Sequence, residues 1–286
     1  MSEMVTHSAT VQSAGRSLPW RRWWSQVRAI LRLELRKSFL GRRGIGLYLL
    51  ALMPIFILAM RSIAGSIDDP SDVAEATRVY AGIYQGFILR VVVFLGCVAI
   101  FGNLIRREVL ERTLHYYFLT PVRREVLVAA KYLTGLIVSV VLFEISAVVS
   151  FFLAYMPYQG VGQFLMRGPG LGHLGAYLLV TFLGCLGYGA VFLAFGFFFK
   201  SPAIPALLVF GWEGIHFLLP PMLKKVSVIH YLQSLCPVPL PAGPLAVLSD
   251  APSPWVAIPG LLILAALLIA VSALRIRKME ISYEDD

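Results

Sequence analysis

Charged residues are scarce in this sequence of 286 residues. Asp, Glu, Lys and Arg make up only 14% of the chain, whereas hydrophobic residues make up 58%. The mean hydropathy is +0.76. Soluble globular domains carry about 25% charged residues, because their surfaces face water. The shortage of charge therefore excludes a soluble domain and indicates a protein that lies largely within a membrane.

Cysteine is also rare, and the residue patterns of catalytic sites are missing. Cys97 and Cys185 fall in long apolar runs and Cys236 has no partner on its side of the membrane, so no structural disulfide is expected. The sequence contains no His-Glu-x-x-His segment, and the one suggestive pair, Glu213 and His216, lacks the further ligands that a metal requires. We predict no catalytic residue, no metal site and no cofactor bound by this chain, which argues against an intramembrane enzyme.

Six apolar runs are long enough to cross a bilayer. A hydrocarbon core about 30 Å thick needs about 20 helical residues, and backbone exposed to lipid must form its hydrogen bonds within its own segment. We therefore predict an all-α polytopic membrane protein with six transmembrane helices. The predicted spans cover residues 46–63, 80–105, 132–155, 174–199, 203–219 and 255–274. Pro54 is expected to kink the first of them.

Positive charge is distributed unevenly around these runs. Most of the 25 lysines and arginines lie before the first span, between spans two and three, or after the last span. Because loops rich in Lys and Arg stay in the cytoplasm, we predict that both termini are cytoplasmic. The predicted location is a bacterial inner membrane. The net charge of +9 could also suggest binding to nucleic acid. Because the basic residues lie next to spans, we expect them to contact lipid head groups instead.

The segment before the first span has the pattern of an interfacial helix. Arginines alternate with apolar residues that include Trp24, Leu31 and Leu35 at near-helical spacing, which predicts an amphipathic helix in the head-group plane over residues 18–43. The remaining predicted units are a disordered cytoplasmic tail (1–17), a six-span domain (44–274) with a cytoplasmic loop (106–131) and an outer-face loop (220–254), and a cytoplasmic tail (275–286).

The most charged stretch between two spans is REVLERTLHYYFLTPVRREVLVAAKYL, at residues 107–133. Arg107 and Glu111 are one helical turn apart, which suits a short surface helix. Thr120 and Pro121 have the residue types of a helix N-cap and first position, so the chain is expected to turn there into the third span. A helix beneath the membrane would offer a charged and aromatic surface to the cytoplasm; the alternative is a solvated connector.

This stretch resembles the cytoplasmic loop of ABC-2-type transporter permeases. The positions that match the family pattern are Thr113, Leu114, Leu119, Thr120, Pro121, Arg123, Arg124, Leu127 and Lys131. Arg112 and Ala130 stand where the family usually has glycine. The six-span plan, the amphipathic N-terminal helix and the cytoplasmic termini extend the resemblance over most of the chain.

The resemblance implies that a coupling helix in this loop docks onto a separate ATP-hydrolysing subunit. It also implies an exporter in which two permeases, identical or related, form the transport path. The chain has no G-x-x-x-x-G-K-[ST] loop, so ATP and Mg²⁺ are expected in the partner ATPase. The residues expected at the interface are Arg107, Glu108, Glu111, Arg112, Thr113, Leu114, Thr120, Pro121, Arg123 and Arg124.

An ion-coupled secondary transporter is the alternative function. Such proteins show internal repeats with broken helices at corresponding positions. The sequence has no convincing repeat, although Pro54, Pro202 and Pro205 could break helices. For the outer-face loop the resemblance favours short helices that re-enter the membrane, and the alternative is an ordered loop on the outer face.

Three ionisable residues interrupt the predicted spans: Arg90, Glu144 and Glu213. The rise per residue of a helix places Arg90 and Glu144 at similar depth. Because an unpaired charge within a membrane is expensive, we predict that these two residues pair; the alternative is that Arg90 reaches the outer surface. Glu213 is then predicted to be the unpaired acid, with His216, a polar substrate group or the partner permease as possible contacts.

Overall fold

The structure is a computed structural model that describes residues 19–40, 44–65, 73–102, 104, 124–158, 160–199, 201–215, 220–224, 227–240 and 252–277. All regular structure in these ranges is helical, which confirms the predicted all-α class. The helices are α1 (Pro19–Leu40), α2 (Ile45–Gly65), α3 (Val73–Ile83), a π-helix (Tyr84–Val93), α4 (Phe94–Phe101), α5 (Arg124–Tyr155), α6 (Val161–Met166), α7 (Gly170–Phe198), α8 (Ala203–Gly214), α9 (Pro221–Lys224), α10 (Val228–Ser234) and α11 (Pro254–Arg277).

Five helical segments within the described residues are long and apolar enough to cross a membrane. They correspond to five of the six predicted spans. Their bounds are Ile45–Ala64, Val73–Phe101, Val126–Tyr155, Gly170–Phe198 and Pro254–Ile276. The segments that begin at Val73 and Val126 start several residues before the predicted spans, because polar residues at a helix end can lie among lipid head groups without ending the helix.

The predicted span over residues 203–219 is not confirmed. The described helix there is α8, which has 12 residues. At about 1.5 Å per residue it is about 18 Å long, well short of a hydrocarbon core of about 30 Å. Residues 216–219 lie outside the described ranges. The described residues therefore contain five segments that are long and apolar enough to cross a membrane, and α8 is not one of them.

Helix α7 lies at the centre of the bundle. Its most apolar stretch is 67% buried, against 17% for α2 and 22% for α11, and it packs against α4, α5 and α11. Small residues permit this close packing. A Cβ atom on Gly187 would lie 2.9 Å from Leu261 Cδ1 and 3.0 Å from Val228 Cγ1. Glycine at this position therefore lets both α11 and α10 approach the middle of α7.

The second long segment contains a π-helix of 10 residues between α3 and α4. Buried tyrosines surround its start: the Tyr84 hydroxyl donates to the Tyr177 carbonyl oxygen at 2.7 Å, and the Tyr80 ring meets the Phe151 and Tyr177 rings edge-on. π-Helical turns are rare and occur frequently at functional sites. This one ends with Arg90 in its last turn.

Helix α1 occupies the segment predicted to be interfacial, and it also packs along α5. Ile30 is only 8% exposed and Val27 packs beside the same core. Trp24 and Leu33 are 62% and 52% exposed. One face of α1 is therefore covered by protein, and the rest is left for lipid or water.

Candidate functional site

Glu213, near the end of α8, is held by the first residues of α10. The Ser227 hydroxyl donates to Glu213 Oε2 at 2.8 Å. The backbone N–H groups of Val228 and Ile229 donate to Oε1 at 3.0 Å and to Oε2 at 3.1 Å. The first N–H groups of a helix have no partner within the helix, and Ser227 does not cap α10 with its own side chain. The carboxylate of another helix supplies the cap instead.

Arg90 belongs to the same cluster. Its guanidinium interacts electrostatically with the Glu213 carboxylate, and both charged groups act on the hydroxyl of Tyr188, which is 1% exposed. The π-helix, α7 and α8 thus each contribute one polar side chain to a buried site. The attraction of the guanidinium adds to the three hydrogen bonds in offsetting part of the cost of burying the carboxylate.

The predicted pairing of Arg90 with Glu144 is wrong. Glu144 is half-buried, lies next to the exposed Ile145, and forms no hydrogen bond or ion pair within the described residues. The depth argument failed because equal depth does not fix which way a side chain faces around its helix. The prediction that Glu213 is unpaired is wrong for the same reason, and His216 lies outside the described residues.

The segment that Glu213 caps lies against the interior of the bundle. Val228, Ile229 and Leu232 are each at most 2% exposed. A Cβ atom on Gly184 of α7 would lie 3.4 Å from Leu232 Cδ1. A second link comes from the π-helix, where Gln85 Nε2 donates to the Val238 carbonyl oxygen at 2.8 Å. Residues 227–240 are therefore fixed to α7 and to the π-helix.

The predicted coupling surface lies almost entirely outside the described residues. Arg124 is the first residue of α5. The other interface residues, all outside the described ranges, are Arg107, Glu108, Glu111, Arg112, Thr113, Leu114, Thr120, Pro121 and Arg123. The coupling helix and the Thr120-Pro121 turn stay predictions.

Sequence reasoning missed the cap on α10. Ser227 before a short apolar segment is a weak N-cap signal, but nothing local indicates that a carboxylate 14 positions earlier completes the cap. The π-helix also has no signal in the hydrophobic pattern. Among the described residues, no group of three or more His, Cys, Asp or Glu could hold a metal ion. The hydrogen bonds around Glu213 join α8 to α10.

The comparisons with known proteins agree with the resemblance of the loop. A family model described as "ABC-2 family transporter protein" matches residues 31–211. No curated protein matches the chain. The matched region includes the last ten residues of α1, the π-helix with Arg90, the predicted coupling loop and the central helix α7. Because the match covers more than half of the chain, this multi-pass membrane protein belongs to the ABC-2 transporter family, as a transmembrane permease component.

Proposed function

We propose that the chain is the permease subunit of an ATP-driven exporter. It works with a second permease, identical or related, and with a separate ATPase that binds ATP and Mg²⁺. The family match over residues 31–211 carries this proposal, since the predicted coupling loop lies within the match. The sequence given has no Walker-type phosphate-binding loop, which supports an ATPase on another polypeptide.

The contacts at one end of the bundle support the proposed orientation. Glu34 of α1 lies 3.7 Å from Lys131 of α5, and Arg275 of α11 lies over the Phe198 ring at the end of α7, 5.4 Å from its centroid. These ends carry the highest density of Lys and Arg in the sequence. By the positive-inside rule, this end faces the cytoplasm, where an ATPase would bind.

We propose that residues 227–240 form part of the outer half of the transport path. The chain enters this segment after α8 and leaves it towards α11, so the segment is expected to dip into the outer leaflet and return. Contact of Val228 and Leu232 with the middle of α7 supports such a re-entrant arrangement. Burial within protein makes non-spanning backbone tolerable at membrane depth.

Copurification tests the proposed function. The chain, purified from native membranes in mild detergent, is expected to bring with it a polypeptide that hydrolyses ATP and is identified by mass spectrometry. Charge reversal by Glu111→Lys or Arg112→Glu should lower the yield of that complex, since hot-spot residues contribute about 1 to 3 kcal/mol each.

Glu284→Lys is the matched control for Glu111→Lys, because it makes the same charge change in the predicted cytoplasmic tail. Its complex yield should equal that of the unsubstituted chain. Full yield and full ATP hydrolysis in both loop variants would show that the loop is only a connector.

A further inference from the structure

Lys131 is almost completely buried at the cytoplasmic end of α5. Its side chain is 2% exposed. The ammonium Nζ lies 3.7 Å from Glu34 Oε1 of α1 and 3.5 Å from the Leu104 carbonyl oxygen. Lysine is among the residues least often fully buried, because removing an unpaired ammonium group from water is costly. These two oxygens contribute to stabilising the buried ammonium group.

Lys131 and one of its two partners, Leu104, lie on opposite sides of residues 105–123, which hold most of the predicted coupling loop. Leu104 is the last described residue before residues 105–123, and Lys131 lies two turns into the helix that follows them. The lysine therefore joins the two ends of the loop. Through Glu34, which is 15% exposed, it joins both ends to α1 as well.

The neighbouring residue anchors the same turn of α5 to the centre of the bundle. The Tyr132 hydroxyl donates to the Leu186 carbonyl oxygen of α7 at 2.8 Å. Leu186 is two positions from Tyr188, which belongs to the cluster of Arg90 and Glu213. One turn of α5 thus contacts α1, the end of the second span and the central helix.

We infer that Lys131 is a positioning residue for coupling: it clamps α1 and both ends of the loop into one unit, so that a displacement of the loop by the ATPase moves α1 and α5 together. This inference rests on the proposed function. Lys131 acts through the loop and α1 and does not contact substrate. Its flexible stem keeps the ammonium within reach of both oxygens during small movements.

Hydrogen–deuterium exchange of the complex in lipid nanodiscs tests the clamp. In the unsubstituted complex, ATP with vanadate should change the rate of amide hydrogen exchange both in residues 105–123 of the loop and in α1. Lys131→Met keeps the volume and removes the charge. It should accelerate basal exchange of α1 on the order of tenfold and confine the ATP-driven change to the loop.

Three further variants separate the clamp from a general loss of structure. Lys131→Arg should restore the joint response, since it keeps the positive charge. Lys131→Met with Glu34→Gln should be no worse than Lys131→Met alone, because the pair is already broken. Arg32→Gln, on an exposed position of α1, should behave as the unsubstituted chain.

The outcomes distinguish the clamp from the proposed function. An unchanged joint response in Lys131→Met would overturn the clamp, and so would faster basal exchange of α1 with its ATP-driven change intact, since the contact would then be only structural. If no ATPase binds the unsubstituted chain and ATP changes nothing, the proposed function fails and the coupling role of Lys131 fails with it.

Discussion

Removing the Glu213 carboxylate should weaken the fold more than removing the carboxylate of Glu144 in α5. Glu213→Ala leaves three buried donors, the Ser227 hydroxyl and the N–H groups of Val228 and Ile229, without their acceptor. An unsatisfied buried polar group costs about 1 to 3 kcal/mol. The change also removes a negative charge that interacts with the partly buried Arg90. The three adjacent donors relax together, so we expect a total of about 3 to 5 kcal/mol.

The assay is thermal unfolding of the purified chain in detergent, in which the fraction of protein that remains monodisperse is measured at each temperature. At about 2 to 4 °C per kcal/mol, Glu213→Ala should lower the apparent Tm by about 10 °C. Glu213→Gln retains one acceptor oxygen and should lower it by about half as much. Glu144→Gln is the matched control, since Glu144 has no described hydrogen bond or ion pair, and it should be neutral or slightly stabilising.

A double-mutant cycle identifies the partner of Arg90. Arg90→Gln combined with Glu213→Gln should cost at least about 1 kcal/mol less than the sum of the single changes, because the two groups interact. Arg90→Gln combined with Glu144→Gln should be additive within about 0.5 kcal/mol. Equal losses in Glu213→Gln and Glu144→Gln, or coupling of Arg90 to Glu144 alone, would refute the reasoning.

Three further predictions concern orientation, reactivity and packing. A cysteine at Arg124 should be shielded from an impermeant thiol reagent in intact cells and one at Asp69 should be labelled; labelling at Arg124 from outside would reverse the orientation. Burial raises the pKa of the Cys236 thiol to about 12. Maleimide should therefore label this thiol slowly at pH 7 and faster as the pH rises, which mass spectrometry can measure. Rapid labelling at pH 7 would contradict the burial. Gly187→Ala should cost about 1 to 3 kcal/mol in the thermal assay, whereas Gly175→Ala, where a Cβ meets nothing within 4 Å, should not; equal effects would argue against close packing at α7.

The long spans were predictable because length and apolar content determine whether a helix can cross a membrane. Length and apolar content predict the bounds of all five membrane-crossing segments to within several residues. They could not show that α8 ends after 12 residues, since the apolar run continues in the sequence beyond Gly214. The apolar character of a segment does not determine where its backbone stops being helical.

The partners of the charged residues were not predictable from sequence, because they depend on rotation about helix axes. Arg90 lies in a π-helix, whose hydrogen bonds join residues five apart instead of four. The wider turn changes the direction of each side chain relative to a regular α-helix. A depth calculation based on α-helical rise therefore placed Arg90 near Glu144, whereas tertiary packing places it near Glu213.

The two buried charged sites differ in how much movement they tolerate, and this difference assigns them different mechanical roles. Glu213 accepts two backbone N–H bonds and one hydroxyl bond, whose geometry is lost if α8 and α10 slide by more than a fraction of the bond length. Lys131 carries three rotatable donors on a flexible stem and lies at longer distances from its oxygens. We therefore expect only small adjustments of the Lys131 contacts while α1 and α5 move together, and we expect α8 and α10 to move as one rigid unit.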